Sequence, residues 1–423
     1  MANFCIETFG CKFNKADSEL IRKILIEKGF KEASEKEADF VILNTCGVVE
    51  KTERKIIKRA IELKKKGKKI IFAGCLPLIS QKICEKIADG LIGPTNILDL
   101  PRVVRKVLKG KKAKFLKQKP IDKAKFKYFA IPKETVVAIV PISEGCLGNC
   151  AYCATKLAKG KLRSFDKKEI LKNIEEALKL GAKEIQLTSQ DLGIYGLDKG
   201  KFLLPELLRD ILKIKGEFRV RLGMTNPTFF KKIQHQVFKL MKDEKIYKFL
   251  HLPLQSGSDE ILKAMKRRYT TKEFLEIVKN FRKNFKFGIL ATDVICGFPG
   301  ETEKDFQKTV FLIKKVKPEI LHVFRYSKRK GTVAEKLKDF PDRIKKERSR
   351  ILNKVWLQIL KEKNKKYLGK VFPVLITEKR KDSFLARTNF YKAVILKEGN
   401  LGEFKKVKIV DVKPNYLVGE IVN

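Results

Sequence analysis

Along most of this chain, short apolar runs alternate with stretches whose hydrophobic residues recur every three or four positions. Up to about residue 108 the runs are Phe4–Phe9, Phe40–Leu43 and Ile70–Ala73, with helical periodicity at about 15–28, 48–66 and 80–88. Such alternation predicts a parallel sheet covered on both faces by helices. The pattern then recurs six times, with strands predicted at Thr135–Ile142, Glu184–Thr188, Phe218–Met224, Tyr247–Leu254, Ile289–Cys296 and Ile320–Tyr326. Helical patterns such as Lys167–Leu180 and Glu303–Val316 fill the gaps. Six βα units make a partial (β/α)6 barrel, short of the eight that close a complete one. A charged helical stretch runs from Pro341 to about Lys366. After it, Val371–Thr377, Phe384–Arg387, Ala393–Leu396, Val407–Val412 and Leu417–Val422 are short β-rich runs divided by turn signals. They predict a small β-barrel of the oligonucleotide-binding kind.

The fold class is therefore α/β, with a small C-terminal barrel. The 423 residues divide into an N-terminal α/β domain (1–110), a linker (111–131), the partial barrel (132–362) and the C-terminal barrel (366–423). Charge adds a partner to this picture. The chain carries 95 Lys+Arg against 49 Asp+Glu, a net charge of +46, which points to a polyanion such as nucleic acid. Arg102–Tyr128 holds twelve of these cations and one acid, Asp122, so this stretch reads as a linker, a phosphate-contacting surface, or both. A hydrophobic share of 43% excludes a disordered chain. Met1–Thr8 lacks the basic and apolar regions of a secretory signal, and no apolar run approaches the ~18 residues of a membrane span. A cytoplasmic protein without a membrane partner is expected.

The nine cysteines are odd in number, which argues against a disulfide framework. Three lie in Glu144-Gly-Cys146-Leu-Gly-Asn-Cys150-Ala-Tyr-Cys153, directly after the first barrel strand. Structural zinc would want four closed ligands, and no fourth Cys or His lies nearby. Three thiolates at C-x3-C-x2-C suit a cubane iron–sulfur cluster that keeps one iron open. Cys11, Cys46 and Cys75 each follow one of the first three strands, each beside a glycine. The carboxyl ends of a parallel sheet converge on one crevice, so these three fit a second such cluster. Cys5, Cys84 and Cys296 read as buried structural residues. His235, His251 and His322 show no mutual pattern, and no metal role is expected for them. Asp17 and Glu19 read as helix N-terminal charges.

The cysteine loop resembles the signature of the radical S-adenosylmethionine (SAM) superfamily. Gly10-Cys11-Lys-Phe-Asn14-Lys-Ala-Asp17-Ser18-Glu19, with Cys46 and Cys75, resembles the N-terminal domain of the radical SAM RNA methylthiotransferases, whose C-terminal RNA-binding barrel is called TRAM. Leu187–Gly196, Gly223–Pro227 and His251–Asp259 are most similar to the archaeal and eukaryotic branch, which modifies N6-threonylcarbamoyladenosine on the 3′ side of the tRNA anticodon. The resemblance implies two 4Fe–4S clusters, held by Cys146/Cys150/Cys153 and Cys11/Cys46/Cys75, and SAM bound at the open iron of the first. That cluster would reduce SAM to a 5′-deoxyadenosyl radical that attacks adenine C2, and the second would hold a sulfur methylated by another SAM. It implies SAM contacts from Tyr152, Ser189, Gln190, Asp191, Gln255, Ser256, Arg268, Gly297, Pro299, Gly300 and Glu301. The tRNA anticodon arm, an electron donor and a sulfur donor are the implied partners. Threonylcarbamoyl also brings a carboxylate, which needs cationic partners when buried. Arg325, at the end of the sixth strand, and Arg329, just beyond it, are the residues expected to supply them. The same residues leave open methylthiolation of isopentenyladenosine or of a ribosomal-protein aspartate, and a non-catalytic iron–sulfur RNA-binding protein.

Overall fold

The computed structural model describes residues 2–119, 121–126 and 134–422. Part of the predicted linker, Pro120 and 127–131, lies outside the described residues. Packing divides the described chain into two units. One contains the described residues of 1–130 with 143–166 and 327–336, and the other those of 131–142, 167–326 and 337–423. The cysteine loop after the first barrel strand thus packs with the N-terminal sheet, and the C-terminal barrel packs with the SAM-type barrel.

The first unit is built on six parallel strands: β1 (Asn3–Thr8), β2 (Lys31–Glu32), β3 (Phe40–Thr45), β4 (Lys69–Gly74), β5 (Gly90–Ile92) and β6 (Ala113–Phe115), in the order β2-β1-β3-β4-β5-β6. The three strands not predicted, β2, β5 and β6, have two or three residues each, too few to show a period. β3 is buried along its whole length, as a central parallel strand should be. Val41 and Leu43 of β3 and Ile70 and Phe72 of β4 pack against Ile56, Ala60 and Leu63 of helix Glu50–Lys65. That i, i+4, i+7 spacing is one helical stripe, and each fully buried large side chain contributes about 1.5–3 kcal/mol.

The second unit holds β7 (Val137–Pro141), β8 (Glu184–Thr188), β9 (Arg219–Leu222), β10 (Phe249–His251), β11 (Ile289–Cys296) and β12 (Ile320–Arg325). They pair in parallel as β7-β8-β9 and β10-β11-β12, and bridges Val220↔Ile246 and Met224↔His251 join the two sheets. The partial six-stranded barrel is as expected. The C-terminal strands β13 (Val371–Lys379), β14 (Phe384–Thr388), β15 (Ala393–Leu396), β16 (Phe404–Val412) and β17 (Leu417–Val422) close a barrel in the order β13-β14-β15-β17-β16.

This small barrel shares one apolar core with the larger one. Phe249, Ile289 and Ala291 of the parallel strands pack with Phe372, Val374, Phe390 and Tyr391. Backbone bonds Val136 N–H to Thr377 O (3.2 Å), Lys379 N–H to Glu134 O (2.8 Å) and Lys248 N–H to Asn389 O (3.0 Å) continue the attachment. Tyr391 closes the barrel floor: its hydroxyl donates to Glu184 at 3.3 Å and accepts from Gln186 at 3.1 Å.

Candidate functional site

β1, β3 and β4 end at one edge of the N-terminal sheet, with Thr8 in register with Asn44 and Thr45 with Gly74. Cys11, Cys46 and Cys75 leave that edge on adjacent turns. The Asn14 amide fastens two of these turns, donating to the carbonyls of Phe9 (2.8 Å) and Thr45 (3.0 Å). Gly10 has φ +104°, and a Cβ there would stand 2.6 Å from the Cys46 Cβ. Burial pushes the Cys75 thiol up to about 12, with Lys159 pulling against it and Cys46 and Cys11 pushing it further. Burial also raises Cys46, with Cys11 adding and Arg329 opposing. Two thiols, Cys46 and Cys75, held back from ionisation next to Cys11 fit a cationic cluster, which reverses that penalty.

The second triad sits on a loop clamped at its base by the two-residue strands Ser143–Glu144 and Arg163–Ser164. Gly148 forms a cradle: its N–H donates to the Cys146 Sγ at 3.1 Å, and a Cβ there would lie 3.2 Å from that sulfur and 3.7 Å from the Cys150 Sγ. Lys156 holds the Gly148 carbonyl at 3.1 Å. Burial raises Cys153, and the charge of Cys150 adds to it. Two sulfurs facing one small-residue gap, with a third close by, fit a three-thiolate cluster site.

A buried charge network ties this loop to the N-terminal sheet. Lys123 pairs with Asp17 (2.7 Å) and Glu144 (3.0 Å), and Lys159 pairs with Asp17 (3.1 Å) and Glu144 (2.8 Å). Arg163 takes the other Glu144 oxygen at 3.1 Å, and the Lys159 ammonium lies 4.1 Å from the Phe13 ring centroid. Asp17 is therefore a buried ion-pair member and not an exposed helix charge; Glu19 stays near the surface, paired with Arg22 at 2.6 Å. Burial alone would raise Glu144, but Lys123 and Lys159 outweigh it and hold the carboxyl at about 2.

In the second unit the predicted SAM-contacting side chains occupy the carboxyl ends of the strands. Ser189 and Gln190 are half-buried, as is Tyr152 on the cysteine loop of the first unit. Asp191 accepts from the N–H groups of Gly193 (2.9 Å) and Asn226 (3.1 Å), and burial lifts its pKa to about 7. Gln255 stands in the left-handed region at φ +67°. Its Oε1 and the Asp191 Oδ2 are buried acceptors without a partner among the described residues. Orphaned acceptors at strand ends fit a ligand that donates hydrogen bonds, such as the SAM ammonium group. Other predicted contacts are committed within the protein. Ser256 is fully buried and accepts from the Ser258 N–H at 3.2 Å, and Glu301 takes the Gly297 N–H (2.7 Å) and Arg348 (2.6 Å). Pro299 is buried and Gly300 exposed. Arg268 is exposed, and it is Arg267 that turns inward to Asn226, at 3.1 Å.

Comparison with known proteins follows this geometry closely. The Radical SAM superfamily matches residues 140–313, the uncharacterized protein family UPF0004 residues 3–93, and the TRAM domain residues 365–422. A probable threonylcarbamoyladenosine tRNA methylthiotransferase of Archaeoglobus fulgidus is 47% identical over 418 residues, 98% of each chain. The chain belongs to the threonylcarbamoyladenosine tRNA methylthiotransferase family. The probable enzyme of Pyrococcus horikoshii is 43% identical over the full length of both chains. The human family member is 34% identical over 99% of this chain and 74% of its own. Among solved structures, the radical SAM methyltransferase TsrM of Kitasatospora setae shares the fold, with a TM-score of 0.59 at 12% identity over 79% of this chain and 74% of that one.

Two expectations about this methylthiotransferase-family chain change with the structure. Arg329 does not stand free for a substrate carboxylate. It is buried, ion-paired with Glu53, and donates to the Val48 carbonyl at 3.1 Å, two residues beyond Cys46. Arg325 is exposed and paired with Asp342 at 3.1 Å. The histidines do have a mutual pattern: His251 Nε2 and His322 Nδ1 reach the same oxygen of Asp293 at 2.9 and 2.8 Å. Burial works to raise Asp293, yet the two imidazoles hold it well below the usual carboxylate range. All three side chains lie on inward positions of adjacent strands, a signal that appears only once strand register is known.

Proposed function

We propose that this chain transfers a methylthio group to C2 of N6-threonylcarbamoyladenosine next to the tRNA anticodon, giving the 2-methylthio product. Full-length membership of that family carries the reading. Cys146, Cys150 and Cys153 would hold one 4Fe–4S cluster and Cys11, Cys46 and Cys75 the other, with SAM beside the first. Bound there, cluster and SAM together supply the one-electron chemistry that an unactivated adenine C–H requires. The residues of the chain position the adenine and exclude water. Gln255 and Asp191 present acceptors to SAM, and the basic surface, including the C-terminal barrel, takes tRNA phosphates. An electron donor and a sulfur donor are required by this stoichiometry, and the cytoplasm is the compartment proposed. No helix is long and apolar enough to cross a membrane.

Mass spectrometry of tRNA nucleosides from cells with and without the chain tests the assignment. The expected result is one methylthio group gained on the threonylcarbamoylated adenosine. A gain only on isopentenyladenosine, or only on a protein, overturns it. The two cysteine triads make a second expectation. Cys150→Ala should halve the bound iron and abolish SAM cleavage, whereas Cys46→Ala should halve the iron and leave 5′-deoxyadenosine release measurable. One substitution that strips all iron contradicts two separate sites.

A further inference from the structure

The barrel lumen is layered. Alternation along each strand puts Phe249 and His251 of β10, Ala291 and Asp293 of β11, and Ile320 and His322 of β12 on one inward face, since Phe249, Ala291 and Ile320 pack on the C-terminal barrel. Arg221 of β9 faces the same way: its guanidinium lies 4.5 Å from the Phe249 ring centroid and 5.2 Å from that of Tyr391. Above an apolar floor there is thus a polar tier of Arg221, His251, Asp293 and His322. Arg221 is the odd member. Among the described residues no carboxylate pairs with it, and its Nε is buried without a hydrogen-bond partner. Its register partner Gln186 is buried with an orphaned Oε1 of its own. A guanidinium lying over aromatic rings with its fork unused is a receptor for a planar anion. Asp293 does not pair with it, and both neighbouring imidazoles sit on the Asp293 Oδ1. Their hydrogen bonds to Asp293 leave His251 Nδ1 and His322 Nε2 for a ligand's polar atoms.

We propose that this tier is the recess for the substrate's threonylcarbamoyl arm, with Arg221 taking its carboxylate and His251 and His322 its ureido and hydroxyl groups. The assignment rests on the substrate reading above and moves the expected cation from Arg325 and Arg329 to a different strand. Arg221 is a specificity residue here, and it touches no reacting atom.

The test compares two anticodon stem-loops on cluster-loaded enzyme, one carrying threonylcarbamoyladenosine and one carrying its methyl ester. Wild type should bind the acid roughly thirtyfold more tightly, the size of a charge-assisted hydrogen bond. Arg221→Gln should bring the two affinities together by weakening the acid alone. His322→Ala, at a half-exposed position that threatens folding little, should weaken both loops alike by several-fold, because acid and ester share the ureido and hydroxyl groups. Thermal melting and bound iron check that each variant is folded. If Arg221→Gln is unfolded, the affinity of folded His322→Ala for the two loops decides. A folded Arg221→Gln that keeps the full preference for the acid overturns the proposal, and so does a folded His322→Ala that binds both loops as tightly as wild type. So does a wild type that binds both loops alike, and nucleoside mass spectrometry then shows separately whether the methylthiolation reading stands.

Discussion

A chain ending at Lys366, without the C-terminal barrel, is expected to lose the cooperative fold of the second unit. A detachable RNA-binding module would leave the rest of the enzyme intact, and its charge, with twelve Lys/Arg against six acids from Lys366 onward, invites that view. The shared core says otherwise. Deletion would bare Tyr247, Phe249, Ile289 and Ala291, all buried to within 2%. The large side chains among them contribute about 1.5–3 kcal/mol each, against a net stability of about 5–15 kcal/mol for a typical domain. Glu184 would also lose the Tyr391 hydroxyl and keep only Tyr247, at 3.0 Å, and Gln186 as partners. Thermal melting and gel filtration check this. A truncated chain with a sharp transition near that of the full chain would show the small barrel to be dispensable for folding.

Glu144→Gln should cost the first unit about 3–5 kcal/mol, because it leaves two buried ammonium groups sharing one carboxylate. Lys159→Met should cost a similar amount. The double variant should cost less than the sum, since it removes charges of opposite sign from one network. The pH dependence follows from the directions of the shifts. Glu144 is held at about 2, below the ~4.3 of an unfolded glutamate, so its contribution is complete above that pH and fades as pH falls towards 2. For Lys159, burial works to lower the pKa, but Asp17 and Glu144 prevail and raise it. Its contribution is complete below the ~10.4 of an unfolded lysine and is lost as pH rises through the higher folded value. The gap between wild type and Glu144→Gln in denaturant titrations should therefore narrow from neutral pH to pH 3. Equal midpoints at neutral pH would mean that the network is not holding the cysteine loop.

Much of the site was legible from local pattern. The strands Glu184–Thr188, Ile289–Cys296, Ala393–Leu396 and Leu417–Val422 have the bounds that alternation predicts, as does the helix Glu303–Val316. The six cysteines stand out because three share one loop at C-x3-C-x2-C spacing and three follow adjacent strand ends, which hydrophobic period and glycine reveal. Arg329 was misassigned because its position just past a strand was visible, whereas its partner Glu53, 276 residues away, was not. Arg221 shows no signal in the sequence because the two arginines of a short Arg-Val-Arg-Leu strand look solvent-facing until the strand's inward parity is known.

What the sequence determined by itself is what depends on neighbours in the chain. Period two or period 3.6 selects strand or helix, the C-x3-C-x2-C spacing brings three thiols onto one loop, and the excess of lysine selects a polyanionic partner. Tertiary structure alone decided which charges meet and which faces are covered. Lys123 finds Asp17 across 106 residues, His322 reaches Asp293 across 29, and Gln186 meets Tyr391 across 205. A hydrogen bond or ion pair forms only within about 3 Å, and that distance is set by register and the path of the whole backbone. The same lysine can thus be a solvated surface charge or, as with Lys159, a buried counter-ion near Cys75, and only the packed chain distinguishes the two.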